Sequence, residues 1–329
     1  MPETLAEPLL RVENLSVSFR SERGLLRAVD DLSFTVAPGE ILSVVGESGS
    51  GKSLTSLAVM GLIDDPNAVV AGSIRYRGRE LVGLPRRALR KVRGAEIAMI
   101  FQDPMSAMTP VYTIGWQIAE QVRAHAGLTR RQARARAVDL LGEMGMPNPA
   151  VQVDRYPHQL SGGMRQRAMI AMALSCHPSL LIADEPTTAL DVTVQAQILR
   201  LVEQLRRDHG SSVMFITHDM GVVAEIADRV MVMYAGKAVE TGPKADVFAA
   251  PGHPYTVGLL DSIPPMAGPK PPRLPAIPGA PPSPARRPEG CPFGPRCPHR
   301  HDACRVDPPL FRRGRQAVSC YLVPEGVDA

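Results

Sequence analysis

The stretch Leu160-Ser161-Gly162-Gly163-Met164-Arg165-Gln166-Arg167 determines how this chain is interpreted. Two adjacent glycines at the start of a predicted helix leave backbone N–H groups uncovered, and the helix N-terminus adds partial positive charge. Ser161 stands where a helix N-cap and a phosphate donor would both be placed. The stretch therefore predicts a phosphate-binding surface that consists of Ser161, Gly162 and Gly163.

A second phosphate-binding sequence lies upstream, between an apolar run and a helical pattern. Its glycines let the backbone N–H groups face phosphates, while Lys52 meets the β- and γ-phosphates and the Ser53 hydroxyl binds Mg²⁺. The predicted nucleotide contacts are Gly46, Glu47, Ser48, Gly49, Ser50, Gly51, Lys52, Ser53 and Leu54. One nucleotide rarely needs two such surfaces from one subunit, so we expect a dimer in which Ser161–Gly163 faces the partner's nucleotide.

Length and composition narrow the functional class. With 329 residues, 44% of them hydrophobic, the chain can form one large domain with an appendage, or two domains. It has no apolar run of about 18 residues and no apolar signal core in its acidic N-terminus, so we expect a cytosolic chain. The tail after residue 264 is basic, but only 4% of all residues are aromatic, which argues against nucleic-acid binding.

Short apolar runs alternate with longer amphipathic stretches, which predicts an α/β fold with a mostly parallel sheet and helices on both faces. The buried-strand candidates are Ile41–Val45, Ala98–Phe101, Leu180–Ala183, Val213–Thr217 and Val230–Tyr234. Leu10–Phe19 and Leu32–Val36 alternate in polarity and predict an antiparallel edge. Between Asp103 and His177 only helical patterns occur, which predicts an inserted helical subdomain.

The composition changes near residue 264. We expect a main domain over residues 8–263, with the helical subdomain at about 103–177. Residues 264–288 contain 11 prolines in 25 positions, which predicts an extended linker over 264–290. A small Cys-bearing module is expected at 291–325.

The apolar run Leu180–Ala183 ends in two carboxylates, Asp184 and Glu185. Because side chains alternate along a strand, the two acids are predicted to do different work. Asp184 would hold the Mg²⁺ shell, and Glu185 would orient or deprotonate the attacking water. Taken alone, such a pair equally suits a helix N-terminus; the glycine pair upstream and the following Pro186–Asp191 favour the site.

Three further residues are candidates whose alternatives stay open. Gln102 follows a strand and is a candidate γ-phosphate sensor and Mg²⁺ ligand, although a lone strand-end Gln is usually a solvated loop residue. His218 follows another strand and is a candidate γ-phosphate donor, or a loop histidine. Phe19 would either stack on adenine or belong to the strand core.

Four of the five cysteines lie in the tail: Cys291, Cys297, Cys304 and Cys320. A cytosolic chain is not expected to hold structural disulfides, and the close pairs typical of zinc sites are missing. Composition leaves free thiols and a metal site equally open, and an all-thiolate 4Fe-4S cluster suits the spacing better than zinc. Zinc is the alternative, with His299 or His301 replacing a cysteine. Nearby Arg296, Arg300 and Arg305 would offset the negative charge of a cluster.

Leu160-Ser161-Gly162-Gly163 with a following Gln, together with the Gly46–Ser53 loop, resembles the ATP-binding cassette (ABC) ATPases. The resemblance implies a P-loop NTPase cassette with an antiparallel β edge. It favours Phe19 as the adenine platform, and it favours Gln102 and His218 as γ-phosphate contacts. It also assigns Asp191 to a loop that bridges the two subunits.

His253-Pro254-Tyr255-Thr256-Val257-Gly258-Leu259-Leu260 and Gln102-Asp103-Pro104-Met105 are similar to the ATPases of oligopeptide and dipeptide ABC importers. The similarity covers about residues 8–325 and departs at Ala107–Pro110. It implies an ATP-hydrolysing subunit at the cytoplasmic face of the inner membrane. The implied partners are a second, paralogous cassette, two transmembrane permease subunits and, indirectly, an extracytoplasmic substrate-binding protein. It also implies that the four tail cysteines hold a 4Fe-4S cluster.

Other functions are weighed against this interpretation. Related importers carry nickel or glutathione, and this chain does not identify the solute. A translation or DNA-repair ABC factor would have two cassettes or a coiled-coil insert, and a P-loop kinase would lack the Ser161–Gly163 motif. A redox- or iron-sensing ABC ATPase, in which the Cys-bearing tail is the main purpose, stays open.

Overall fold

The computed structural model describes residues 7–22, 24–187, 192–263 and 275–323, with only the backbone of Val192 and Thr193. The strands are β1 Leu10–Ser21, β2 Gly24–Val36, β3 Ile41–Val45, β4 Ala68–Tyr76, β5 Arg79–Glu80, β6 Ile97–Ile100, β7 Leu180–Asp184, β8 Ser212–Thr217, β9 Arg229–Tyr234, β10 Lys237–Pro243, β11 Phe311–Arg313 and β12 Gln316–Val318. The helices are α1 Lys52–Met60, α2 Arg86–Val92, α3 Pro104–Ala107, α4 Ile114–Ala126, α5 Arg130–Glu143, α6 Pro149–Gln152, α7 Gly162–Leu174, α8 Val192–His209, α9 Met220–Ile226, α10 Lys244–Ala249 and α11 Pro254–Asp261.

The chain divides into two compact units. The first unit is formed by the described residues of 1–36, 40–82 and 216–329, and the second by those of 37–39 and 83–215. In the first unit, β2, β1, β4 and β5 form an antiparallel sheet in that order. The long strand β1 alternates between buried and more exposed residues, as expected of a strand with one face on the core.

The first unit also contains parallel pairing. Strand β3 is parallel to β9, and all five residues of β3 are buried, which explains its continuous apolar sequence. Strand β10 pairs antiparallel with both β9 and β12. The tail is therefore joined to a sheet of the first unit by β12, a three-residue strand that the sequence pattern did not predict.

The second unit contains the helices α2 to α8. Strand β6 is parallel to β7, and both are wholly buried. Between these two strands lie only helices and turns, from α3 to α7. The predicted α/β class, with parallel strands, an antiparallel β edge and inserted helices, is confirmed. None of the helices in the described ranges is long and apolar enough to cross a membrane.

The region before α11 is held by buried polar groups. The carboxylate of Glu240 in β10 accepts the backbone N–H groups of Gly252 and His253 at 2.7 and 2.9 Å. His253 is the N-cap of α11, and its Nδ1 accepts the N–H of Tyr255 at 3.0 Å. Because Nδ1 must be unprotonated to accept this bond, the cap requires a neutral imidazole.

Burial lowers the pKa of His253 to about 4. The unfolded chain therefore binds this proton near pH 6.5, and the folded chain binds it only near pH 4. The free energy of unfolding should fall by about 3 kcal/mol as the pH drops through this window, because protonation favours the unfolded state. Urea unfolding at several pH values measures this slope.

His253→Asn keeps a capping oxygen and removes the titration, so its unfolding free energy should depend less on pH between 6.5 and 4. His125→Asn, at an exposed position on α4, is the matched control and should keep the wild-type slope. Equal slopes in the wild type and His253→Asn would contradict the assignment.

Candidate functional site

The loop Gly46–Gly51 connects the buried strand β3 to α1. Gly46 has φ 152°, and a Cβ atom there would lie 2.2 Å from the carbonyl oxygen of Met233. Gly51 has φ 100°, and its Cβ would lie 3.0 Å from the carbonyl oxygen of Ala28. The backbone curl of the loop therefore requires glycine at both positions.

Lys52 begins α1, and its side chain points back into the loop. Its Nζ donates to the carbonyl oxygens of Gly46 at 2.7 Å and Glu47 at 3.0 Å. The Oγ of Ser50 is buried and has no hydrogen-bond partner among the described residues. Ser48 and Gly49 are exposed, and Ser53 and Leu54 are half-buried. A buried cation and an unsatisfied hydroxyl in one curled loop fit an anionic ligand such as a nucleotide phosphate.

Two residues that sequence reasoning did not assign to this site hold Glu47. Its N–H donates to Tyr255 Oη at 2.7 Å, and its carboxylate accepts both terminal nitrogens of Arg296 at 2.5 and 3.0 Å. Burial raises the pKa of the Tyr255 phenol, and the bond to Glu47 raises the pKa of Arg296. Tyr255 belongs to the His253–Leu260 motif, but no sequence pattern connects Arg296 with Glu47.

The second unit contains the candidate carboxylates. Asp184 ends β7 and is buried, whereas the following Glu185 is half-buried with φ 47°. The amide Nε2 of Gln102 donates to Glu185 Oε2 at 3.0 Å. The structure thus brings the predicted Gln102 and Glu185 together. Asp184 and Glu185 differ in burial, and β7 ends between them.

Ser161–Gly163 forms the N-terminus of α7. Ser161 is the N-cap, and its Oγ accepts the N–H of Met164 at 3.4 Å. A Cβ atom added to Gly162 or Gly163 would have no neighbour within 4 Å in the part of the chain that the structure describes. The side chain of Gln166, further along α7, is buried and donates to the carbonyl oxygen of Pro186 at 2.6 Å. This bond links α7 to the segment that follows Glu185.

The remaining candidates are placed as follows. Phe19 is a half-buried residue of β1 that pairs with Leu26 and Ala68, so it belongs to the antiparallel sheet. His218 follows β8 and is exposed in the first unit. Asp191 lies outside the described residues.

Four cysteines of the tail line one small cavity: Cys291, Cys297, Cys304 and Cys320. All four are free thiols. Burial raises the pKa of Cys291, Cys297 and Cys320, and neighbouring thiols add to this effect. Within the described ranges, no three His, Cys, Asp or Glu side chains are arranged to hold a metal ion.

The basic residues near these cysteines differ from expectation. Arg296 was expected to offset the charge of a cluster, but its guanidinium is paired with Glu47. Arg305 pairs with Asp302, and both side chains are strongly exposed. Arg296 is therefore already paired with a carboxylate in a mostly buried setting, whereas the Arg305–Asp302 pair lies in solvent.

Comparisons with known proteins agree with this architecture. Residues 29–188 match the ABC transporter family, and residues 239–304 match the oligopeptide/dipeptide transporter C-terminal region. The chain resembles a dimeric ATP-binding cassette in a post-hydrolysis state bound to ADP and Pi, with a TM-score of 0.65, 26% identity, and coverage of 71% of this chain and 98% of that one.

Relatives in sequence cover nearly the whole chain. A putative peptide import ATP-binding protein of Brucella abortus (strain 2308) is 53% identical over 95% of this chain and 94% of its own length. The dipeptide transport ATP-binding protein DppD of Escherichia coli (strain K12) is 50% identical over 95% and 96%. The oligopeptide transport ATP-binding protein OppD of Haemophilus influenzae is 49% identical over 97% and 98%. The resemblance drawn from the sequence is confirmed, and the chain belongs to the ABC transporter ATP-binding proteins of the oligopeptide and dipeptide group.

Proposed function

We propose that this chain binds and hydrolyses ATP in a head-to-tail pair of cassettes and thereby powers the import of dipeptides or oligopeptides. The proposal is based on two features: the curled phosphate loop Gly46–Gly51, and Gly162 and Gly163 at the start of α7, which have open space around them in the described part of the chain. Relatives that are about half identical along the whole chain and are named for peptide transport support the substrate class.

The chain's own residues account for nucleotide binding. The curled backbone and Lys52 receive the phosphates, and Ser50 Oγ gains the partner that it lacks among the described residues. Ser53, Gln102 and Asp184 supply hydroxyl, amide and carboxylate oxygens, which are the ligand types that Mg²⁺ prefers. Bound Mg²⁺ would neutralise charge on the phosphates. Phe19 would contact the adenine.

Glu185 is proposed to orient the attacking water and accept its proton. The bond from Gln102 fixes the position of one of its carboxylate oxygens. Gln102 would report the presence of the γ-phosphate, His218 would donate to it, and Asp191 would meet the partner cassette. Ser161, Gly162 and Gly163 would face the nucleotide held by the partner, because a helix N-terminus favours an anion and a Cβ atom at either glycine would have open space around it among the described residues.

Glu185→Gln should retain ATP binding and lower turnover by about 10² or more, since it keeps the shape but loses the proton acceptor. Lys52→Ala should instead weaken ATP binding itself. Glu22→Gln, at an exposed position, is the control and should behave like the wild type. Hydrolysis is measured on the assembled transporter and binding on the isolated chain. Near-normal hydrolysis by Glu185→Gln would rule out the proposed role.

The helical region offers a surface for the membrane subunits. Tyr112 and Trp116 stack with ring centroids 4.0 Å apart, and both rings are exposed, as is Val111. An exposed aromatic pair beside an aliphatic side chain is suited to a protein partner. We propose that the two permease subunits of the transporter dock the cassettes through this surface of Val111, Tyr112 and Trp116. The chain would then lie at the cytoplasmic face of the inner membrane. The substrate-binding protein would act through the permeases, and the partner cassette would be a paralogue.

ATP hydrolysis by the isolated chain should be slow, because one cassette holds only half of each composite site. Adding the permeases and the partner cassette should raise the rate severalfold. Trp116→Ala should keep ATP affinity and reduce this stimulation, because it removes the proposed docking surface. Full turnover by a preparation shown to be monomeric by light scattering would contradict the dimer model.

We also propose that Cys291, Cys297, Cys304 and Cys320 hold one 4Fe-4S cluster with a structural role. The support is that all four thiols line one cavity and that their region is too short to build a large core of its own. A 4Fe-4S cluster takes one thiolate at each iron, and the cavity presents four thiols.

The full chain, purified without oxygen, should contain about four iron and four sulfide per chain. Replacing any one of the four cysteines by Ser should lower the iron content and loosen the tail. Cys176→Ser is the control, because Cys176 lies outside the cavity and should not affect iron. Stoichiometric zinc in colourless protein would reject the cluster in favour of zinc, and metal-free protein would reject both.

A further inference from the structure

Arg296 lies in a short 3-10 turn, Gly294–Arg296, between two of the tail cysteines. Its side chain is only 5% exposed. Besides its two bonds to Glu47, the guanidinium donates to the carbonyl oxygen of Pro278 at 2.8 Å and contacts Tyr234 Oη at 3.3 Å. The rings of Tyr234 and Phe293 flank it at 5.8 and 5.9 Å. Arg296 is therefore fixed on several sides and aimed at the phosphate loop.

Glu47 is the loop residue with the most anchors. Its N–H is held by Tyr255, its carbonyl oxygen by Lys52, and its carboxylate by Arg296. Two of these three anchors come from the last third of the chain. The conformation of the phosphate loop thus depends on residues far along the sequence from the loop itself.

The Arg296 contact also offsets the negative charge of Glu47. Nucleotide phosphates carry negative charge, and an unpaired carboxylate in the loop that receives them would repel them. When a fixed bidentate guanidinium offsets the charge of this carboxylate, the loop N–H groups and Lys52 determine the electrostatic potential where the phosphates bind. Removing the guanidinium would leave this carboxylate unpaired.

A second series of hydrogen bonds also connects the C-terminal region to the phosphate loop. Arg287 donates to Asp30 at 2.9 Å, and the Asp30 N–H donates to the carbonyl oxygen of Gly236 at 2.9 Å. The N–H of Gly236 in turn donates to the carbonyl oxygen of Ser50, also at 2.9 Å. Arg287 is therefore connected to Ser50 of the loop through Asp30 and Gly236.

We propose that Arg296 is a positioning residue for nucleotide binding, which fixes and neutralises Glu47 so that the loop accepts phosphate. The proposal rests on the ATP site described under the proposed function. It assigns the C-terminal region a direct influence on the affinity of the cassette for nucleotide.

The test is a double-mutant cycle on the full chain, measured as the Kd for Mg-ATP. Arg296→Ala should weaken binding roughly tenfold or more, because it leaves Glu47 unpaired. Glu47→Gln should weaken binding less than Arg296→Ala. Adding Glu47→Gln to Arg296→Ala should recover part of the lost affinity, because no repelling carboxylate is left.

Arg315→Ala is the matched control. Arg315 also makes two bonds to a carboxylate, that of Asp246, but its side chain is 72% exposed. This variant should keep the wild-type Kd. If Arg296→Ala fails to fold, Arg296→Lys replaces it in the cycle, and its loss of affinity should also be relieved by Glu47→Gln.

Each outcome is decisive. Failure of the wild type to bind Mg-ATP, or normal binding by Lys52→Ala, would overturn the proposed function itself. Normal wild-type binding with no loss in Arg296→Ala would overturn the role of Arg296 and leave the proposed function standing. A loss that Glu47→Gln does not relieve would mean that Arg296 acts only on the fold, and it would also overturn the inference.

Discussion

The phosphate loop depends on one steric constraint, which is the lack of room behind it. The carbonyl oxygens of Met233 and Ala28 occupy the positions where side chains of residues 46 and 51 would begin. Strands β9 and β2, which carry Met233 and Ala28, thereby set the curl of the loop. The Lys52 ammonium satisfies the carbonyl oxygens of Gly46 and Glu47, which water would otherwise have to solvate.

The C-terminal region takes part in this constraint because it packs into the same unit. Strand β12 pairs with β10, and Cys291 and Phe293 join a buried cluster with Tyr234 and Tyr255. Tyr255 reaches the loop from this cluster, and Arg296 reaches it from the turn that follows Phe293. A proline-rich sequence and a cysteine-bearing tail suggested an appendage; in the structure, the tail supplies Arg296, which completes the environment of Glu47.

The sequence predicted those features that depend on local pattern. Strand β3, the loop after it, the N-cap Ser161 and the buried Asp184 at the end of β7 all follow from short-range rules of burial and capping. The three-residue strand β12 is too short to show any periodicity. Arg296 and Glu47 are 249 residues apart, and an ion pair at that separation leaves no periodic signal in one sequence.

The glycines of the phosphate loop and those at the start of α7 differ in their surroundings. Gly46 and Gly51 are required by atoms of this chain, because a side chain at either position would meet a backbone oxygen. Gly162 and Gly163 meet no such obstacle among the described residues, and their helical backbone tolerates any side chain. In the proposed dimer, the open space at Gly162 and Gly163 would let the partner's nucleotide approach their backbone closely.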